Sequence, residues 1–195
     1  MDKRLQKNRL TILVIFAMSV IPFGIAFYLA KHPNAVQLGT NHGTLINPPL
    51  VTAPDQFSGF DEFSAEHLKE LQGHWVLINL LPNEGCNEGC QQGLYKTQQI
   101  TLMMGKDIAR IRRLALIYRP FEQPMSDPWA SDLRLLKAIP NESLQLLLKR
   151  LPQGEPGVLL VMDPLGNLMM HYSAGYDPYQ VRDDLSKLLR ISQIG

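Results

Sequence analysis

The apolar positions of the chain fall into two regions with different patterns. One uninterrupted apolar stretch covers residues 10–30, and short apolar runs separated by turn residues recur after residue 58. The segment between them, residues 31–57, holds four prolines and two glycines and has little periodicity. We therefore predict an extended linker over residues 31–57 and a folded domain over residues 58–195.

Residues 10–30 are predicted to form a transmembrane helix. The stretch is uncharged and 21 residues long, and a helix needs about 20 residues to cross a bilayer. Lys3, Arg4, Lys7 and Arg9 precede it, so the positive-inside rule predicts that residues 1–9 stay in the cytoplasm and the rest is exported. A cleaved signal peptide is the alternative, but its apolar region usually runs about 7–15 residues.

Continuous apolar runs in the folded domain predict strands that are buried on both faces. Three such runs are Trp75–Leu81, Leu114–Tyr118 and Val158–Met162. The turn sequence Asp163–Asn167 follows the third run and leads into a returning strand, Leu168–Tyr172.

Helical spacing of apolar residues, together with capping residues, predicts helices between and after these strands. The predicted helices are Phe63–Gly73, Cys90–Met104, one that contains Trp129, Leu133 and Leu136 and ends at Pro140, one capped by Asn141, and one that begins at Asp177 and Pro178.

The order of these elements is strand, helix, strand, a helix broken in two, strand, strand, helix. A parallel pair with a crossover helix, then a hairpin and a closing helix, is typical of the thioredoxin-like architecture. We predict an α/β thioredoxin-like domain with a central four- to five-stranded mixed sheet flanked by helices, on a single N-terminal transmembrane helix.

The two cysteines of the chain, Cys86 and Cys90, lie between the first predicted strand and the next helix. Four residues apart on a helix places both sulfurs on one face, so they can reach one partner or each other. The amides at a helix start favour a thiolate, whereas the acidic neighbours Glu84 and Glu88 oppose it. The pattern indicates thiol redox chemistry or soft-metal binding. A structural disulfide is the alternative in an oxidising compartment, although a disulfide that closes so short a loop adds little to the stability of the fold.

Other classes of function lack support in the sequence. The formal net charge is +1, and we find no basic patch of the kind that marks nucleic-acid binding. The nucleotide-binding, zinc-protease and nucleophile-elbow motifs are absent from the sequence. Two cysteines alone are too few for a closed structural zinc site, which takes four ligands.

The chain resembles thioredoxin-fold proteins and, through its anchor and its Cys-x-x-x-Cys pair, the Sco/SenC copper chaperones of cytochrome c oxidase assembly. It is similar in particular to the small membrane-anchored, Sco-like proteins found with cytochrome c oxidase genes in proteobacteria. The residues that carry this resemblance are Asn41–Pro49, Cys86, Cys90, Asp163–Tyr172 and Arg190–Gly195.

The resemblance implies a periplasmic domain on an inner-membrane anchor that supports cytochrome c oxidase assembly. The mechanism implied is copper handling or thiol maintenance at Cys86 and Cys90. The partners implied are oxidase subunits or other assembly factors, with no nucleic acid. A metal-free thiol-disulfide oxidoreductase and a non-catalytic interaction module remain as alternatives.

Sco proteins bind copper through the two cysteines and a distal histidine, and this chain departs from that pattern. The matching region, Gln153–Gly157, holds no histidine. Within it, Pro156 is a candidate counterpart of the cis-proline of thioredoxins. His171 is the candidate third copper ligand because it ends the fourth predicted strand beside two methionines, and soft sulfur ligands select Cu(I). Packing on a half-buried strand is the alternative role for His171.

Overall fold

The computed structural model describes residues 3–31, 41–81, 86–118, 129–151, 157–192 and 194. The chain divides into two compact units, Met1–Thr40 and Asn41–Gly195. The first contains helix α1 (Lys3–Lys31). Its segment Thr11–Lys31 is long and apolar enough to cross a membrane, and most of its large apolar side chains are exposed. The predicted apolar helix is therefore present.

The second unit is built on one mixed sheet of seven strands among the described residues. Strands β3, β4 and β5 run parallel, while β6 pairs antiparallel with β3 and β7 pairs antiparallel with β6. In sheet order the strands are β1 (Thr44–Val51), β7 (Asn167–Tyr172), β6 (Leu159–Met162), β3 (Trp75–Leu81), β4 (Ile111–Ile117), β5 (Leu135–Pro140) and β2 (Phe57–Gly59).

Four helices accompany this sheet in the described part of the domain, and each begins at a side chain that caps its first turn. Asn141 and Asp177, predicted as N-caps, both accept a hydrogen bond from a backbone N–H in the following turn. Asp61 and Asn87 act in the same way. The helices are α2 (Glu62–His67), α3 (Glu88–Met103), α4 (Glu142–Leu148) and α5 (Pro178–Ile191), with 3-10 turns at Pro54–Gln56, Leu68–Leu71 and Gly105–Arg110.

The predicted thioredoxin-like fold class is confirmed, but the sheet has seven strands among the described residues and not the predicted four to five. The prediction of a linker over residues 31–57 is wrong from Asn41 onward. That segment contains all of β1 and the first residue of β2, Phe57, and these are the two edge strands of the sheet. Its prolines misled the prediction because proline lacks the N–H that a central strand needs, whereas an edge strand tolerates its loss. Pro48 and Pro49 both lie in β1.

The helix predicted from Trp129, Leu133 and Leu136 up to Pro140 is also wrong. Residues 129–134 form turns, and Leu135–Pro140 is strand β5. The helical spacing was coincidental, because Leu133 is 67% exposed and lies on no buried helix face. The strand is buried on both faces, and its one charged residue, Lys137, is held by Asp61 at 2.9 Å.

The two faces of the sheet carry separate parts of the core. One face packs residues such as Ile78 and Leu160 against α4. The opposite face packs Leu77 and Leu159 against α3 and α5. Alternation along each strand thus decides on which side of the sheet a side chain lies.

A buried carboxylate, Asp184 of α5, fixes the start of β1. Its Oδ2 accepts hydrogen bonds from the backbone N–H groups of His42 at 2.6 Å and Gly43 at 2.9 Å. The hydroxyl of Tyr172 donates to the same oxygen at 3.0 Å. Burial, followed by the charge of Asp184, raises the pKa of Tyr172, so this hydroxyl stays a donor.

We expect Asp184→Ala to lower the free energy of unfolding by about 3 kcal/mol, because it removes the acceptor shared by two backbone N–H groups and the buried hydroxyl of Tyr172. Asp183→Ala is the matched control, since that carboxylate is partly exposed and pairs with Arg182 at the surface. The measurement is thermal and denaturant unfolding followed by the fluorescence of Trp75 and Trp129, both in the sheet domain. Equal stabilities for the two variants would contradict the assigned role of Asp184.

Candidate functional site

Cys86 and Cys90 form a disulfide at the carboxyl end of β3. The sulfurs are 2.02 Å apart and the Cα atoms 5.1 Å apart. The two residues do not share a helix face as predicted, because α3 begins at Glu88 and Cys86 precedes its N-cap. The disulfide therefore joins the segment before α3 to the first turn of that helix.

Two amide side chains hold the backbone around this disulfide. The side-chain oxygen of Asn87 accepts a hydrogen bond from the backbone N–H of Cys90 at 3.0 Å. The side-chain amide of Gln91 donates to the carbonyl oxygen of Cys86 at 3.2 Å. Because Asn87 caps α3, the helix starts two residues earlier than predicted, and Cys90 lies where the helix dipole favours a thiolate.

The two sulfurs differ in their environment. Cys90 is 2% exposed and packs in an apolar cluster that includes Leu81, Leu94 and Trp129. Cys86 is only partly buried and lies against that cluster. Cys86 is therefore the sulfur more open to a second molecule.

Glycines allow the start of α3 to pack closely on its surroundings. A Cβ on Gly157 would lie 3.4 Å from the carbonyl oxygen of Gly89, between the cysteines. A Cβ on Gly93 would lie 3.3 Å from Oδ1 of Asn79 in β3. A side chain at Gly93 would press on the side chain of Asn79, and the positive φ of Gly157, 98°, disfavours any other residue there.

Asn79, the polar residue of the first predicted strand, finds its partner beneath this turn. Its Nδ2 donates to the hydroxyl oxygen of Thr97 at 3.0 Å, and that hydroxyl donates to the carbonyl oxygen of Leu94. Both side chains are buried. The pair links β3 to the middle of α3. It therefore fixes the distance between the sheet and the start of α3, which carries the disulfide.

His171 does not come to the cysteines in this structure. It pairs with Leu160, which pairs in turn with Ile78, so His171 lies level with the middle of β3. Residues directly opposite each other in neighbouring strands share a face, and Ile78 and Leu160 lie on the face away from α3. The strand direction was predicted correctly, but a single step in register decides the face. A role for His171 as a ligand stays a prediction that this placement does not support.

The other residues predicted near the cysteines are Glu84, Glu88 and Pro156. Glu84 and Pro156 lie outside the described residues. Glu88 is exposed, and its side chain accepts a hydrogen bond from Gln92 at 3.3 Å. Among the described residues, no three His, Cys, Asp or Glu side chains are grouped as a metal site. Sequence reasoning missed Asn87 and Trp129 as neighbours of the cysteines; the Asn-Glu-Gly-Cys run was the available signal for the cap.

Comparison with known protein families agrees with this geometry. The profile of the transmembrane-like, thioredoxin-like, C-terminal domain family matches residues 75–192. The chain belongs to this family. A search of curated proteins gives no match. Family membership and the apolar helix together indicate membrane anchoring for this transmembrane-like, thioredoxin-like protein.

Solved structures with a similar fold include Sco proteins. Apo Sco1 from Thermus thermophilus is 16% identical, with 78% of this chain and 99% of that chain covered and a TM-score of 0.54. Yeast Sco1 is 17% identical, covering 64% and 84% of the two chains, with a TM-score of 0.49. Arabidopsis thaliana ScoI, with copper bound, is 15% identical, covering 64% and 89%, with a TM-score of 0.48. The Thermus likeness shows that the domain has the fold of Sco proteins.

The placement of His171 predicts a pH effect on stability. Burial lowers the pKa of His171 below its ordinary value of about 6.5. Below pH 6.5 the unfolded chain then takes up the proton more readily than the folded chain, so stability falls as the pH falls. We expect the free energy of unfolding to decline from pH 7 to pH 5.5, and His171→Gln to flatten this decline. His74→Gln is the control, and an unchanged slope in His171→Gln would contradict the prediction.

Proposed function

We propose that Cys86 and Cys90 act as a reversible dithiol–disulfide pair on a membrane-anchored, Sco-like thioredoxin fold, and that the pair maintains thiols during cytochrome c oxidase assembly. The observation that carries this proposal is the disulfide at the end of β3, with Cys90 buried and Cys86 more accessible. A buried sulfur beside an accessible one suits a two-step exchange in which one attacks and the other resolves.

In the reduced protein the Cys86 thiolate attacks a disulfide sulfur of the partner protein. An S–S bond forms between Cys86 and that sulfur, and the partner's other sulfur leaves as a thiolate that takes up a proton. The Cys90 thiolate then attacks Cys86, closes the Cys86–Cys90 disulfide and releases the second thiol of the partner. The partner gains two electrons and two protons, and a separate dithiol donor must reduce the pair again.

The cellular setting of the proposal comes from the family resemblance and the charge pattern. We propose that residues 1–9 are cytoplasmic, residues 10–30 cross the inner membrane and the sheet domain lies in the periplasm. Oxidase subunits or other assembly factors are the proposed partners. The basic residues before α1 support this orientation.

Copper handling is the second candidate function, with Cu(I) as the cargo. The supporting observation is that two adjacent sulfurs sit on a fold shared with apo Sco1 from Thermus thermophilus. Reduction of the disulfide frees two thiolates, the soft donors that select Cu(I). The described residues fit a site made by Cys86 and Cys90 but do not bring His171 to it. A site of this kind competes with thiol exchange for the same sulfurs.

The order of exchange is tested by trapping a mixed disulfide. We expect the reduced full chain with Cys90→Ser, in lipid nanodiscs, to accumulate a stable mixed disulfide with oxidised glutathione, because the resolving sulfur is gone. We expect Cys86→Ser to react at least about tenfold more slowly, since its remaining thiol is buried. Mass spectrometry of the trapped species gives the answer. Equal rates for both variants would contradict the assigned roles, and failure of both variants to react would remove thiol exchange and leave the interaction module.

Copper binding is tested by titrating Cu(I) against a competing chelator. We expect the reduced full chain in nanodiscs to bind one Cu(I), Cys86→Ser to lose that binding and His171→Ala to retain it, because His171 lies on the other face of the sheet. Loss in His171→Ala would restore the three-ligand site implied by the family resemblance. No binding by the unaltered chain would remove copper handling and leave thiol exchange.

A further inference from the structure

A cavity lies along α3, away from the helix start that carries the cysteines. The cavity has a volume of about 510 Å³, within the range of small-molecule sites, roughly 300–1,000 Å³. Gln98 and Leu102 of α3 line it, together with Arg113 of β4 and the turn before β5. The cysteines are not among its lining residues, so the cavity is separate from the thiol site.

Much of the wall of this cavity is apolar. Phe63, Ile108 and Leu136 contribute to it. Leu102 and Leu133 also line it although they are 53% and 67% exposed. Two large aliphatic side chains left open to solvent at one cavity offer a surface for the apolar body of a ligand.

A buried arginine gives the cavity its distinctive polar group. Arg113 is 3% exposed, and its Nη2 donates to Oδ2 of Asp132 at 2.6 Å. Its Nη1 is buried and has no hydrogen-bond partner within the part of the chain that the structure describes. Buried guanidinium groups normally satisfy their donors, so this nitrogen lacks an acceptor that a ligand can supply.

The acidic groups around the cavity are already engaged. Asp132 also accepts a hydrogen bond from the backbone N–H of Arg134 at 2.9 Å, so both of its oxygens are used. Glu70 accepts from Arg112 at 2.6 Å, and this contact holds the pKa of Glu70 below its ordinary value. Both carboxylates are thus neutralised by partners, which leaves the charge of Arg134 unbalanced.

Arg134 lines the same cavity from the turn before β5. Its side chain is exposed and makes no hydrogen bond or ion pair with the described residues. Arg113 and Arg134 therefore present unpaired guanidinium donors at one cavity, where forked donors suit a carboxylate.

We propose that this cavity binds a small amphipathic carboxylate. The carboxylate group accepts hydrogen bonds from Arg113 and Arg134, and the apolar body lies against Leu102, Leu133 and their neighbours. Pairing with the anion satisfies Nη1 of Arg113, and an apolar body covers the exposed leucines. The site is independent of the thiol chemistry at Cys86 and Cys90.

The test uses 2-naphthoate as the probe and 2-naphthamide as its uncharged analogue of similar shape. The full chain in lipid nanodiscs is titrated with each, with empty nanodiscs as the blank for partition into lipid. Binding is followed by methyl NMR of Leu102 and Leu133. We expect saturable shifts with 2-naphthoate and at least about tenfold weaker binding of 2-naphthamide, the effect of losing one charge-assisted contact.

Arg134→Gln is the informative variant because the side chain is exposed and its loss leaves the core intact. We expect it to weaken 2-naphthoate binding about tenfold and to leave 2-naphthamide binding unchanged. Arg150→Gln, at an exposed position outside the cavity lining, is the matched control. Absence of saturable shifts, equal binding of the two probes, or unchanged binding in Arg134→Gln would each overturn the proposal.

Discussion

The close contact between the start of α3 and the sheet is the constraint on which the candidate site depends. The hydrogen bond from Asn79 to Thr97 ties β3 to α3, and Gly93 and Gly157 lie close to Asn79 and to the carbonyl oxygen of Gly89. With the helix held at this height, Cys90 is pressed into the apolar cluster and Cys86 stays nearer the surface. The unequal exposure of the two sulfurs is thus a product of packing around them rather than of their own sequence.

The sequence was a good guide where one local signal determined the structure. The runs Trp75–Leu81 and Val158–Met162 correspond to β3 and β6 because a strand buried on both faces must be apolar throughout. Asn141 and Asp177 located the helix starts because a cap is a contact between neighbours in the chain. The position of the cysteines after β3 followed from the same run.

The sequence was a poor guide where a distant contact decides the outcome. β5 carries Lys137 in its centre, and an ion pair with Asp61, far away in the chain, makes that charge compatible with burial. His171 illustrates the same limit at the site. Its strand and direction were readable, but its face depends on pairing with Leu160 and on the bulge between Val161 and Met162. The sequence around His171 contains no signal for this pairing or for the bulge.

The edge strand β1 bears on how copies of this protein coexist. A chain held by an apolar helix diffuses in two dimensions, where copies meet more often than in free solution. An exposed strand edge is a template on which a second copy can extend the sheet. Pro48 and Pro49 interrupt that template, because neither has an N–H to donate, and the pairing of β1 with β7 shifts register between Leu45 and Leu50. The same prolines that hid this strand in the sequence therefore make the exposed edge of β1 a poor template for a second copy.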